Sequence, residues 1–160
     1  LLFSMLFKIF SCTKLQEKLG GNLSPAQVSA DSLASAILLQ GVYNSMEYTF
    51  TSYLQVFALS EMTTDEAIAP TRGSNWDDNG QWRAFHQQKY DPNNPVVHDC
   101  FNSLSGVVFA ATDMLQYKPS LQQQAEARFL RAWAMYWMLD MFDQVPYRKP
   151  GEPVTKAANV

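Results

Sequence analysis

The run from Gln124 to Phe142, QAEARFLRAWAMYWMLDMF, constrains this 160-residue chain more than any other stretch. It contains no Gly, no Pro and no β-branched residue, so its local preferences all favour a helix. Ser120 offers an N-cap, and Pro146 stands just past the end, where a helix could not continue. From Leu121 to Phe142 the helix would be about 33 Å long, at about 1.5 Å per residue. Its first two turns are polar, but between Phe129 and Phe142 only Arg131 and Asp140 break the apolar run. That pattern predicts a second half buried almost all round.

Two further segments carry helical spacing. Ser24-Pro25 marks a turn or helix entry and Asp31 can cap a first long helix, in which Leu33, Ile37, Leu38, Val42, Tyr43 and Met46 form an apolar stripe. Gly41 lies within that helix at a cost of about 1 kcal/mol relative to Ala, which predicts close approach by another helix. A shorter helix is expected over 52–62, with Leu54, Phe57 and Leu59 facing the core. Pro95 opens another, with Val96, Val97, Cys100, Leu104, Val107, Val108, Ala111 and Leu115 on its apolar side. The short link through Tyr117-Lys118-Pro119 to Ser120 predicts antiparallel packing of the last two helices. The fold class is therefore all-α, built from antiparallel helical hairpins packed like tetratricopeptide repeats, though the exact repeat signature is absent. A long irregular segment interrupts it between Ala67 and Pro95, where no helical period survives.

The length suits one domain with a sizeable core. A composition of 47% hydrophobic and 17% charged residues is that of a globular chain. A net charge of −3 without a Lys/Arg cluster supplies no footprint for nucleic acid. The two cysteines, Cys12 and Cys100, do not make a disulfide framework, and Cys100 reads as a small buried thiol.

Leu1 to Phe10 is apolar except for Ser4 and Lys8 and is too short to span a bilayer. It reads as the hydrophobic region of a truncated signal peptide. Ile9-Phe10-Ser11-Cys12 resembles a bacterial lipobox, which makes Cys12 the lipidation site; acyl chains bury about 0.8 kcal/mol per methylene and can hold a domain on a membrane without a spanning helix. The chain thus divides into a signal segment at 1–12, a tether at 13–23, a helical domain at 24–147 and an extended tail at 148–160.

Chemistry concentrates between Asp65 and Tyr90. Indole rings beside amide, carboxylate and guanidinium groups are what a sugar site requires: the apolar face of a pyranose stacks on the ring while planar polar groups pair with its hydroxyls. Arg72, Asn75, Trp76, Asn79 and Trp82 are the candidate ligand-binding residues, the alternative being that the two tryptophans pin the loop to the helices beneath. Asn75, Asp77, Asn79 and Gly80 match positions 1, 3, 5 and 6 of a calcium loop, but His86 stands where position 12 needs a bidentate Glu, so the stretch reads as an Asx-rich turn and not a metal site. The histidines, His86 and His98, belong to no metalloprotease motif, and Ser103-Leu104-Ser105-Gly106 is not a nucleophile elbow. Glu126, Arg128 and Arg131 lie at helical spacing and suggest pairing on one face. Neither an enzyme nor a cofactor is indicated.

The run Ala125-Glu126-Ala127-Arg128-Phe129-Leu130-Arg131-Ala132, continuing to Met141-Phe142-Asp143-Gln144-Val145-Pro146, resembles the SusD/RagB family of outer-membrane nutrient-binding lipoproteins. There an AEARFLRA helix ends in a G-D-V-P turn, and here Asp143-Gln144 replaces Gly-Asp. Leu39-Gln40-Gly41-Val42-Tyr43-Asn44 and Leu59-Ser60-Glu61-Met62-Thr63-Thr64-Asp65-Glu66 are similar to two other segments of that family. The resemblance implies a lipid-anchored, surface-exposed protein of a Gram-negative outer membrane. Such a protein would bind an oligosaccharide or other nutrient, partly through this loop, and pass it to a SusC-like TonB-dependent transporter. Members of that family continue much further, so a fragment that binds nothing alone is one alternative. A tetratricopeptide-like protein-interaction module is the other.

Overall fold

Three long helices, each about 30 Å from end to end, form the frame of the computed structural model, which describes residues 32–70, 78–117, 119–154 and 158–159. Helix α1 spans Ser32–Thr51, α2 Val56–Met62, α3 Gln81–His86, α4 Pro95–Leu115 and α5 Leu121–Phe142. The all-α expectation holds. The described strands are two-residue pieces, β1 at Pro146–Tyr147 and β2 at Ala158–Asn159, paired antiparallel. The tail is therefore not extended throughout, because β2 folds back onto β1. Among the described residues no helix is long and apolar enough to cross a membrane.

Helix α4 is the centre. It packs most extensively against α5 and next against α1, and α1 also touches α5. Tyr43 of α1 meets Glu126 of α5, while Phe50 meets Trp133 and Trp137, so α1 and α5 run in the same direction. Five residues link α4 to α5, which makes that pair a hairpin.

Local chemistry explains where these helices start and stop. Asn94 caps α4 by accepting a 2.9 Å hydrogen bond from the Val96 amide, with Pro95 at the first helical position, where no donor is needed. Helix α5 opens on a capping box: the Ser120 hydroxyl accepts from the Gln123 amide, and the Gln123 side chain accepts from the Ser120 amide. It ends at Asp143, whose φ of 64° lies in the left-handed region and whose amide reaches the Leu139 carbonyl at 3.0 Å.

The core joins Leu39 and Val42 of α1, Val56 and Leu59 of α2, the inner side of α4, and Ala127, Leu130, Ala134 and Met138 of α5. On α4, Val96, Cys100, Leu104, Val107, Val108 and Ala111 are buried as the spacing predicts, Val97 and Leu115 are half-buried, and Thr112 and Met114 join the buried side unpredicted. Cys100 is fully buried and free, and desolvation pushes its thiol up from 9.0 to about 12.

Several expectations are corrected. On α5 the second half is not buried all round: Phe129, Trp133, Tyr136 and Leu139 face outward. Ala127 and Ala134 line the contact instead, because small residues let the α4 and α5 backbones approach closely. On α1, Leu33, Ile37 and Tyr43 are exposed, and the buried side is Ala34, Leu39 and Val42. Among the described residues no helix approaches Gly41, where a Cβ would meet nothing within 4 Å. Helix α2 begins at Val56, after a turn at 52–55, and Phe57 points out. Glu126, Arg128 and Arg131 do not pair with one another. Arg131 is buried, donates to the Arg148 carbonyl at 2.8 Å and lies over the Tyr147 ring, whereas Arg128 reaches Gln124 and Glu126 accepts from Tyr43 and Gln122. The expected irregular segment contains a 3₁₀ turn at Asp78–Gly80 and helix α3.

Candidate functional site

Of the residues the sequence singles out, Cys12, Arg72, Asn75 and Trp76 lie outside the described residues. Asn79 is exposed in the 3₁₀ turn at a φ of 58°, a conformation Asn tolerates. Trp82 is a correction. It is only 7% exposed and packs on Phe85 with ring centroids 5.8 Å apart, so its face cannot stack on a sugar arriving from solvent. The reason is the short helix α3: residues three apart share one side, and the side carrying Trp82 and Phe85 turns inward. The alternative weighed for this residue, a ring pinning its loop to the helices, describes what is found.

A groove of about 750 Å³ lies beside α3. Its apolar walls are Leu59 of α2, Phe85 of α3, Val97 of α4, and Trp137, Met141 and Phe142 from the end of α5. Tyr90, Asp91 and Pro92, which lead into α4, form one rim, with Asp140 of α5 and the hydroxyls of Ser60, Thr63 and Thr64 also lining the space. The volume falls within the range of small-molecule sites, roughly 300–1,000 Å³.

Each polar group has a geometry that limits what it can do next. Ser60, Thr63 and Thr64 already donate their hydroxyl protons to the Phe57, Ser60 and Glu61 carbonyls, which leaves Ser60 and Thr63 as acceptors. Asp91 accepts from the Asn93 amide at 2.9 Å in an Asx turn that positions its carboxylate. The imidazole of His86 bonds the Thr64 carbonyl at 3.2 Å and ties α3 to the segment after α2. Trp137 contributes ring surface to the wall; its indole Nε1 is itself buried, without a hydrogen-bond partner among the described residues, and not accessible from the groove. Among the described residues no Lys or Arg lines the groove. The walls are thus aromatic and aliphatic and the polar groups mostly acceptors. A ligand rich in hydroxyl donors, with a flat apolar face, satisfies both conditions.

Tyr90, Asp91, Trp137 and Asp140 were not singled out as site residues. Asp140 carried a signal, as a lone carboxylate in a strongly apolar helical run. Trp137 carried none, because an indole in such a run reads as core.

Comparison with protein-family models finds no match, and comparisons with curated proteins and with solved structures find none either.

Proposed function

We propose that this chain is a glycan-binding protein of the SusD/RagB kind, anchored through Cys12 to an outer membrane, which captures an oligosaccharide and hands it to a TonB-dependent transporter. The observation that carries the binding half is the groove beside α3, with its aromatic walls and acceptor-rich rim. Support for the family comes from the helix exit. Asp143 occupies a left-handed position at φ 64°, and the resembling pattern has Gly there, the residue that adopts this conformation at least cost. In this reading α1 and the α4–α5 hairpin are a tetratricopeptide-like frame. The segment from Asp65 to Tyr90 and the end of α5 stand on it as the ligand surface.

Calorimetric titration of the full chain against a panel of neutral oligosaccharides tests the reading. Binding is expected, weakened roughly tenfold by Asp140→Ala, which removes a carboxylate acceptor lining the groove, since about 1.4 kcal/mol is a factor of ten. Tyr90→Ala is expected to weaken it further by removing a stacking face. Absence of binding across the panel, or affinities unmoved by both substitutions, would sink the assignment. Co-purification with a barrel transporter tests the partner.

The second reading, a helical-repeat module that binds another polypeptide, draws on a different observation, the aromatic outer face of α5.

A further inference from the structure

We infer that the groove beside α3 takes a saccharide carrying a protonated amino group, with Asp91 and Asp140 as the carboxylates that hold the ammonium. This deepens the glycan reading and rests on it.

Charge separates this class from other saccharides. Two carboxylates line the groove, Asp91 from the segment that leads into α4 and Asp140 from α5, with no Lys or Arg lining it among the described residues. Neither carboxylate belongs to an ion pair among those residues. One oxygen of Asp91 accepts from the Asn93 amide at 2.9 Å, which fixes the group and leaves its second oxygen unused. Asp140 has no side-chain hydrogen bond among the described residues, so both of its oxygens are open to a donor.

The surroundings keep that sign. The chain positions next to the lining residues add Glu61, Asp65 and Asp143 against a single Lys89. The two histidines there are already engaged, His86 with the Thr64 carbonyl and His98 beside Asp99. A concave surface of one sign focuses its field and draws in a cation. A sugar bearing a carboxylate or sulfate would meet repulsion from Asp91 and Asp140, and a neutral one would leave both without a counter-charge.

The walls suit an ammonium as well as a sugar ring. Tyr90, 61% exposed, lines the groove with the rings of Trp137 and Phe142. An aromatic face stacks on the apolar side of a pyranose and also attracts a cation through its quadrupole. An ammonium brings three donors and no acceptor, whereas Ser60 and Thr63, whose protons are committed to backbone carbonyls, can only accept. Among the described residues no group of three or more His, Cys, Asp or Glu gathers to hold a metal ion. Two carboxylates beside aromatic rings fit an organic cation better.

Calorimetric titration of the full chain with two probes of nearly the same shape tests the inference. They are the β-1,4-linked trisaccharides of glucosamine and of glucose, which differ in each ring only by an ammonium in place of a hydroxyl at about pH 6. The glucosamine probe should bind about tenfold more tightly, each partly exposed ion pair contributing about threefold. Asp91→Asn, which keeps the acceptor of the Asx turn, and Asp140→Asn should each lower that preference about threefold, and the double variant should abolish it. Because the preference is a ratio measured on one protein, a general loss of stability or binding does not imitate the effect. Raising the ionic strength from about 0.01 M to about 1 M should shrink it. Equal affinities for the two probes overturn the inference, as does a preference that survives the double variant or high salt. If neither trisaccharide binds while a neutral oligosaccharide of the panel does, the inference falls and the glycan reading stands. If the whole panel fails as well, both fall.

Discussion

Helices α4 and α5 have nearly the same length, 21 and 22 residues, and form most of the core against each other, yet they distribute their apolar residues in opposite ways. On α4 the large aliphatic side chains point inward, and the apolar stripe in the sequence is the buried side. On α5 the inward positions are held by Ala127, Leu130, Ala134 and Met138, while three of its five aromatic residues from Phe129 to Phe142 are exposed. An apolar stripe with a polar opposite side has one way to face a core. A helix that is apolar nearly all round has several, and packing volume chooses among them. In α5 the small residues go inside and the rings outside, so the protein has a second apolar surface that its core does not use.

The comparison can be broken at its strongest point, the inner side of α4. With its thiol at about 12 in place of 9.0, Cys100 holds roughly 1000-fold less thiolate at neutral pH than an exposed cysteine and is fully shielded. Native protein is therefore expected to resist alkylation at Cys100 until denaturant is added, with peptide mass mapping separating it from Cys12. Rapid modification of the native chain would show that α4 does not face a closed core. The same displacement makes stability depend on pH. The folded-state value is raised, so the contribution is complete below 9.0, where the unfolded thiol is also protonated, and is lost as pH rises through about 12.

A matched pair of truncations sharpens the contrast. Leu104→Ala, at a fully buried position of α4, is expected to cost about 3 kcal/mol in urea denaturation, within the usual range of about 2–5. Phe129→Ala on the outer face of α5 is expected to change stability by less than about 0.5 kcal/mol in the same measurement. Equal costs would mean that the outer face is part of the fold's own core. The smallest informative effect is at the helix start: Ser120→Ala removes half of the capping box and should cost about 1 kcal/mol, with α5 retaining its helicity by circular dichroism.

The all-α class was legible because its evidence is local, and so were the spans of α4 and α5. Pro95, Ser120 and the region before Pro146 mark helix ends through donors, acceptors and fixed φ angles that act over one turn. A break before the shorter helix was expected, but its position was off by four residues: α2 begins at Val56 rather than Ser52, because Ser52 accepts from the Leu54 amide within the turn. The candidate site was legible only in part. The segment from Asp65 to Tyr90 does border the groove, through Phe85 and Tyr90, but Trp82 turns inward, and the groove's far wall comes from the end of α5, more than forty residues further along the chain.

Capping, helix propensity and the positions of proline were sufficient to say that this chain makes long helices and where α4 and α5 begin and end, since each acts between neighbours along the backbone. Which side of α5 meets α4, whether the Trp82 indole points in or out, and how Arg131 comes to be buried against Arg148 and Tyr147 were decided by the tertiary structure alone. Burial is a property of what lies opposite a side chain in space, and in a helix apolar on every side the local pattern favours no direction over another.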